Sequence, residues 1–161
     1  MVTRLDVKDI VILSYLTDEM IDNLLPEMEL LRFAEGEIIF RMGDSADWFY
    51  SLKRGKILLE QRVSENVTIS MGTVKPGYSF GWSALLGDHT FSLDTVCGEP
   101  CEIIRIRAKT LFALIEQDYQ MGYRLMHRLL HMVSRRLDGR TDLLLKMIMD
   151  HPDIQSLTEA G

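Results

Sequence analysis

Side chains able to do chemistry gather at three places in this chain. The first runs from Phe80-Gly81-Trp82-Ser83-Ala84-Leu85 to His89-Thr90-Phe91-Ser92. It combines turn-forming glycines, hydroxyls, an imidazole and aromatic rings, and reads as a ligand-binding cassette. The second is Cys97 and Cys101, which flank Gly98-Glu99-Pro100. That spacing sets two thiols across a turn, so a redox-sensitive disulfide is one reading. A reduced, buried pair acting as small hydrophobes is the other. Two such cysteines are too few for a structural zinc or an iron–sulfur site. The third place is His127 and His131, four residues apart. They suit a metal pair on a helix, but no third ligand is evident, so no metal is assigned. No nucleophile stands with a base and an orienting acid, and the chain reads as non-enzymatic.

These residues must be held by the elements around them. From Glu35 to Trp82 apolar runs of strand length alternate with Gly36, Gly43, Gly55, Gly77 and Gly81, as turns with φ > 0 require. Short strands with regular turn signals point to a mainly β protein with flanking helices, a β-roll or jelly roll (double-stranded β-helix). Helices are expected over 9–13 and 17–25, the second capped by Thr17 and ended by Pro26. Strands are expected over 29–33, 37–40, 48–53, 56–63, 67–74, 78–81, 90–96 and 101–107, with one helical turn over 82–86. The pattern changes at Ala108. A short helix carrying Leu111, Leu114 and Ile115 precedes a long one from about Tyr119, which must end before His151-Pro152. The expected divisions are 1–107 for the N-terminal helices and roll, 108–150 for the short and long helices, and 151–161 for a tail.

On the long helix Tyr123, Met126, Leu130, Val133, Leu137, Arg140, Leu144 and Met147 follow 3–4 spacing, the seam of a coiled coil. Leu125, Leu129 and Met132 form a second stripe on an adjacent face. One stripe can pack on the roll while the other meets a partner, and a helix of about 30 residues, some 45 Å long, outruns one small roll. Homodimerisation through this helix is expected, with Tyr123, Met126, Leu130, Val133, Leu137 and Leu144 in the interface. Gly139 is expected to mark a bend.

The 161 residues carry a formal charge of −6, and 47% are apolar. That balance argues against a large nucleic-acid footprint. Arg135-Arg136 with Arg128 and Arg140 read as a solvated helix face. No apolar run reaches the ~20 residues of a membrane span, and no signal-peptide core opens the chain, so a cytoplasmic protein is expected.

The order of elements resembles the cyclic-nucleotide-binding domain of the catabolite activator and Fnr family of bacterial sensors. The resemblance is carried by Leu30–Phe33 with Glu35-Gly36-Glu37, Phe40 with Gly43-Asp44, Phe49-Tyr50, Gly55, Gly77 and Phe80-Gly81. It implies a ligand whose cyclic phosphate sits at the N-terminus of the one-turn helix, bound by amides and the helix dipole. Gly81 matches the cassette glycine, Ser83, Ala84 and Leu85 the residues supplying amides, and Ser92 the hydroxyl residue. The family's ligand-contacting hydroxyls on the long helix fall at Arg140 and Thr141, where Arg140 reaches towards an anion, snorkels out, or pairs with Asp138 or Asp142.

Two charged positions of the family pattern are altered. Trp82 stands where a glutamate takes the ribose hydroxyl. Phe91, or Thr90 in a shifted register, stands where an arginine pairs with the phosphate. No arginine or lysine occurs between Gly77 and Arg105, and losing that charge-assisted bond costs roughly 1.5–3 kcal/mol. Binding of cyclic AMP or cyclic GMP in the usual pose is therefore not expected. Either Phe80, Trp82, Leu85 and Phe91 shape a pocket for another small ligand, with Ser83, His89 and Ser92 as polar contacts, or Trp82 and Phe91 fill the space as core. The first gives a ligand sensor coupled to the dimer helix, the second a protein-interaction scaffold that docks a downstream partner; a genuine cyclic-AMP-binding regulator is the further alternative. No cofactor is assigned beyond such a ligand, although a haem-sensing variant would find axial candidates in His89, Met126 and His127. The family's DNA-binding members continue into a helix-turn-helix domain, and none follows here, so no DNA contact is expected.

Overall fold

The computed structural model describes residues 1–86, 90–151 and 154. Thr3 starts the first helix, α1 (Arg4–Lys8). Its hydroxyl accepts from the Asp6 amide while the Asp6 carboxylate accepts from the Thr3 N–H, a capping box. The helix expected over 9–13 is displaced to this earlier position, and 11–15 is turns. Thr17 caps α2 (Asp18–Leu24), and a 3₁₀ turn through Pro26 leads into the sheets.

Eight strands follow among the described residues: β1 (Met28–Phe33), β2 (Ile38–Phe40), β3 (Trp48–Arg54), β4 (Ile57–Ser64), β5 (Val67–Val74), β6 (Ser79–Phe80), β7 (Asp94–Cys97) and β8 (Cys101–Arg107). They form two antiparallel four-stranded sheets, in orders β1-β8-β3-β6 and β2-β7-β4-β5. This is the expected roll. The strand foreseen over 90–96 is shorter: Thr90 makes only an isolated bridge to Ser45, and regular pairing starts at Asp94.

Period-two alternation on β3 decides which side chain serves which layer. Tyr50 and Leu52 point into the roll, where they join Phe40, Ile57, Leu59, Phe80, Phe91, Cys97 and Ile103. Phe49 and Ser51 point to the opposite face. There, with Ile104 and Ile106 of β8, they line a void of about 10 Å³ against Leu13, Leu24 and Leu111. The N-terminal helices and α4 (Ala108–Gln117) thus cover the outside of the first sheet.

A one-turn helix, α3 (Ser83–Leu86), follows β6. Asp118 separates α4 from the long α5 (Tyr119–Met149), and its carboxylate accepts from the Met121 amide. The helix runs unbroken through Gly139. Gly122 has a packing role: a Cβ there would lie 2.5 Å from Ile115 Cγ2. By its internal contacts the chain divides into Met1–Leu125 and Met126–Gly161. No helix among the described residues is long and apolar enough to cross a membrane.

Candidate ligand site

Gly81 fixes the cassette at the edge of the first sheet. Its φ is +75°, and an added Cβ would lie 2.8 Å from Tyr50 Cδ2 and 3.3 Å from the Trp48 carbonyl, so no other residue fits without displacing β3. The chain then turns directly into α3. The Ala84 amide donates to the Gly81 carbonyl (3.2 Å) and the Leu85 amide to the Trp82 carbonyl (2.8 Å). Two of the three amides the resemblance offers to an anion are therefore engaged in the turn itself. Ala84 and Leu85 are buried, and Ser83 is half-buried.

Phe91 lies inside the roll, 4% exposed. Its ring stacks on Phe40 at 3.7 Å and tilts against Tyr50 at 6.3 Å, while Tyr50 stacks on Phe80 at 5.3 Å. Its backbone is clamped on both sides: its amide donates to the Asp44 carbonyl and its carbonyl accepts from the Gly43 amide. The neighbours Thr90 and Ser92 are exposed, as alternation about a buried Phe91 requires. His89 lies outside the described residues.

Trp82 turns the other way. Its indole meets the edge of Phe49 at 6.5 Å, and Phe49 belongs to the outward face of β3. The indole Nε1 is buried with no hydrogen-bond partner among the described residues, and so is Oγ1 of the fully buried Thr95. Thr95 shares the inward parity of Cys97 on β7, the signal by which the sequence could have marked it.

Arg105 and Arg107 were not singled out from the sequence, yet both share the inward parity of Ile103. They lie across β3 from Tyr50 and Trp48 respectively. Both guanidinium groups sit against the Trp48 ring, at 3.8 and 4.4 Å from its centre. Arg105 is also paired with Glu29 at 2.7 Å and reaches the Tyr50 hydroxyl. Burial pushes that hydroxyl's pKa up, against the pull of Arg105. The inward face does carry cations, then, but Arg105 already has its counter-charge.

Cys97 and Cys101 are both buried and unbridged. Burial first, then the adjacent Cys101, pushes the Cys97 thiol up to about 12. The Cys101 thiol donates to the Glu99 carbonyl at 3.1 Å. In α5, Arg140 is exposed, and the Thr141 hydroxyl donates to the Leu137 carbonyl of its own helix at 3.0 Å. Of the seam residues, Tyr123, Leu130, Val133, Leu137 and Leu144 are exposed and Met126 is half-buried.

An antiparallel roll, a one-turn helix opened by a left-handed glycine, and a short helix leading to a long one define a class. They are the features of a cyclic-nucleotide-binding-type sensor domain. The family model "Cyclic nucleotide-binding domain" matches residues 30–118, more than half of the chain, and the chain belongs to that family. A Geobacter metallireducens protein described as cyclic nucleotide-binding superposes with a TM-score of 0.75 at 23% identity, over 85% of this chain and 99% of its own. The Thermus thermophilus catabolite activator protein gives 0.69 at 25% identity, over 85% of this chain and 62% of its own. The c-di-GMP-responsive global regulator CLP of Xanthomonas campestris gives 0.74 at 18% identity, over 84% and 66%. This chain therefore spans less than two thirds of either regulator. Comparison with curated proteins finds no match.

Proposed function

We propose that this protein is a non-enzymatic, cytoplasmic regulatory sensor module in which a small ligand other than cyclic AMP or cyclic GMP acts on the roll. The signal passes through 108–119 to a dimer built on α5. The observation that carries this reading is Phe91, whose ring lies 3.7 Å from Phe40 inside the roll, at the position where the resemblance expects the phosphate-binding arginine. An anion entering there would meet rings in place of a cation, and would be desolvated without a counter-charge. Arg105 is engaged with Glu29 and with the Trp48 ring.

The unpartnered Oγ1 of the inward-facing Thr95 favours a ligand over a bare scaffold, because buried polar groups are nearly always satisfied. Ring packing around Phe91 favours the second reading, a ligand-free module that docks a protein partner through its long helix.

Calorimetry with cyclic AMP, cyclic GMP and cyclic di-GMP, the last being the effector of the Xanthomonas regulator, tests the proposal. No heat of binding is expected from the two mononucleotides. Micromolar affinity for either would overturn it. Binding of cyclic di-GMP alone would show that an anionic ligand is held away from Phe91 and would replace the argument from that ring.

A further inference from the structure

A hollow that shares no residue with the cassette lies where the end of α1 meets β3. Its volume is about 190 Å³, against the roughly 10–15 Å³ that a single water needs. It falls below the ~300 Å³ at which pockets for drug-sized ligands begin. A nucleotide does not fit it, and a molecule the size of an amino acid does.

The hollow is held open by backbone rather than by mobile side chains. The Val11 amide donates to the Gly77 carbonyl and the Gly77 amide to the Leu52 carbonyl, each at 2.8 Å. Ile10 and Leu52, both buried, belong to its lining. Four ionic side chains complete it, two of each sign: Asp6, Asp9, Lys53 and Arg54. Lys53 and Asp6 satisfy one another at 2.9 Å, and Lys53 also approaches Glu102 at 3.7 Å. Asp9 and Arg54 differ. Neither side chain makes an ion pair or a hydrogen bond among the described residues, and Arg54 acts on Glu102 through its charge alone. A free carboxylate and a free guanidinium therefore open on one small space.

We propose that this hollow binds a small zwitterion of the amino-acid class. The ligand's ammonium donates to the Asp9 carboxylate, and its carboxylate accepts from Arg54, whose planar fork suits that group. A simple anion would gain Arg54 but face Asp6 and Asp9. A simple cation would gain Asp9 but face Lys53 and Arg54. Only a ligand carrying both signs is attracted at each end. Asp9 and Arg54 are both exposed, so water competes for each pairing, and an affinity of about 1 mM is expected.

The test follows the backbone amides of the ¹⁵N-labelled full chain by NMR during titration with glycine, β-alanine and 4-aminobutyrate. These differ in the separation of their charges. Butyrate and butylamine, each carrying one charge, serve as comparisons. At least one zwitterion is expected to shift the amides of Asp9, Arg54 and Gly77 saturably, and to bind at least about fivefold more tightly than either comparison. Asp9→Asn and Arg54→Gln should each weaken that binding by about threefold or more. Arg62→Gln, which removes a cation from β4, should leave it unchanged. The ligand-free spectra of the variants show that the fold is kept. Absence of saturable shifts with all three zwitterions, equal affinity for butyrate, shifts confined to the cassette, or parental affinity in Asp9→Asn or Arg54→Gln would overturn the proposal.

Discussion

At position 91 a buried aromatic ring stands at the edge of the cassette. Phe91 is clamped by its backbone and buried among Phe40, Tyr50 and Phe80, so its ring serves the fold. Phe91→Ala is expected to cost about 3–5 kcal/mol in urea unfolding, the range for emptying an aromatic site in a core. A cost below about 1 kcal/mol would place the ring on a loose surface flap instead. The site was partly legible in the sequence. Gly81 and the missing charges could be read from residue types, because a left-handed turn and an ion pair each demand particular residues. The opposite directions of Trp82 and Phe91 could not, since they depend on where the chain leaves the sheet edge. The inward placing of Arg105 and Arg107 is readable from the parity of β8. Cys97 gives a second prediction at this scale. Its thiol is raised to about 12 by burial and by Cys101, whereas an unfolded cysteine ionises near pH 8.5. The stability linked to the protonated thiol is complete below about pH 8.5 and is lost as pH rises towards 12. Cys97→Ala should flatten that alkaline slope in thermal unfolding, and a slope unchanged by the substitution would refute the assignment.

Elements were easier to read than side-chain directions, and the exceptions have local causes. β5 and β8 fall where their bounding turns place them. α1 was misplaced because the Thr3–Asp6 capping box is a four-residue signal that the apolar run over 10–13 outweighed. What ties α1 to the roll is likewise invisible along the chain. Lys53 of β3 reaches Asp6 at 2.9 Å and approaches Glu102 at 3.7 Å, with Asp6 only 13% exposed. Burial alone would raise the Asp6 pKa, but hydrogen bonds from Lys53 and Thr3 and the Lys53 charge outweigh it and hold the carboxyl below its usual value. The stability from a depressed carboxyl is present above its unfolded pKa, about 3.9, and is lost as pH falls through the folded one. Asp6→Ala is therefore expected to cost about 1–3 kcal/mol at neutral pH and to reduce the loss of stability below about pH 4. Urea unfolding at pH 7 and pH 3 reads both effects. An Asp6→Ala deficit that is the same at both pH values would show that the ion pair and cap contribute nothing through titration.

For the whole molecule the deciding feature is apolar surface. Leu130, Leu137 and Leu144 are 68%, 63% and 57% exposed on one seam of α5. A contiguous exposed apolar stripe of this kind marks an interaction surface, and its 3–4 spacing is the one that knobs-into-holes packing requires. An identical partner satisfies it by symmetry, each copy presenting the same stripe to the other. Leu130→Glu with Leu137→Glu should therefore turn a dimer into a monomer in sedimentation equilibrium. The same pair of substitutions should remove the dependence of melting temperature on protein concentration that a dimer shows. The roll lies within the compact unit Met1–Leu125, so its near-ultraviolet dichroism, dominated by the packed rings of Phe40, Tyr50, Phe80 and Phe91, should persist in the monomer. If the parent chain sediments as a monomer, the seam must be covered by a different protein, and the scaffold reading gains what the sensor reading loses. If the variant stays dimeric, association runs through another surface, and the route from the roll through 108–119 to a dimer helix must be abandoned.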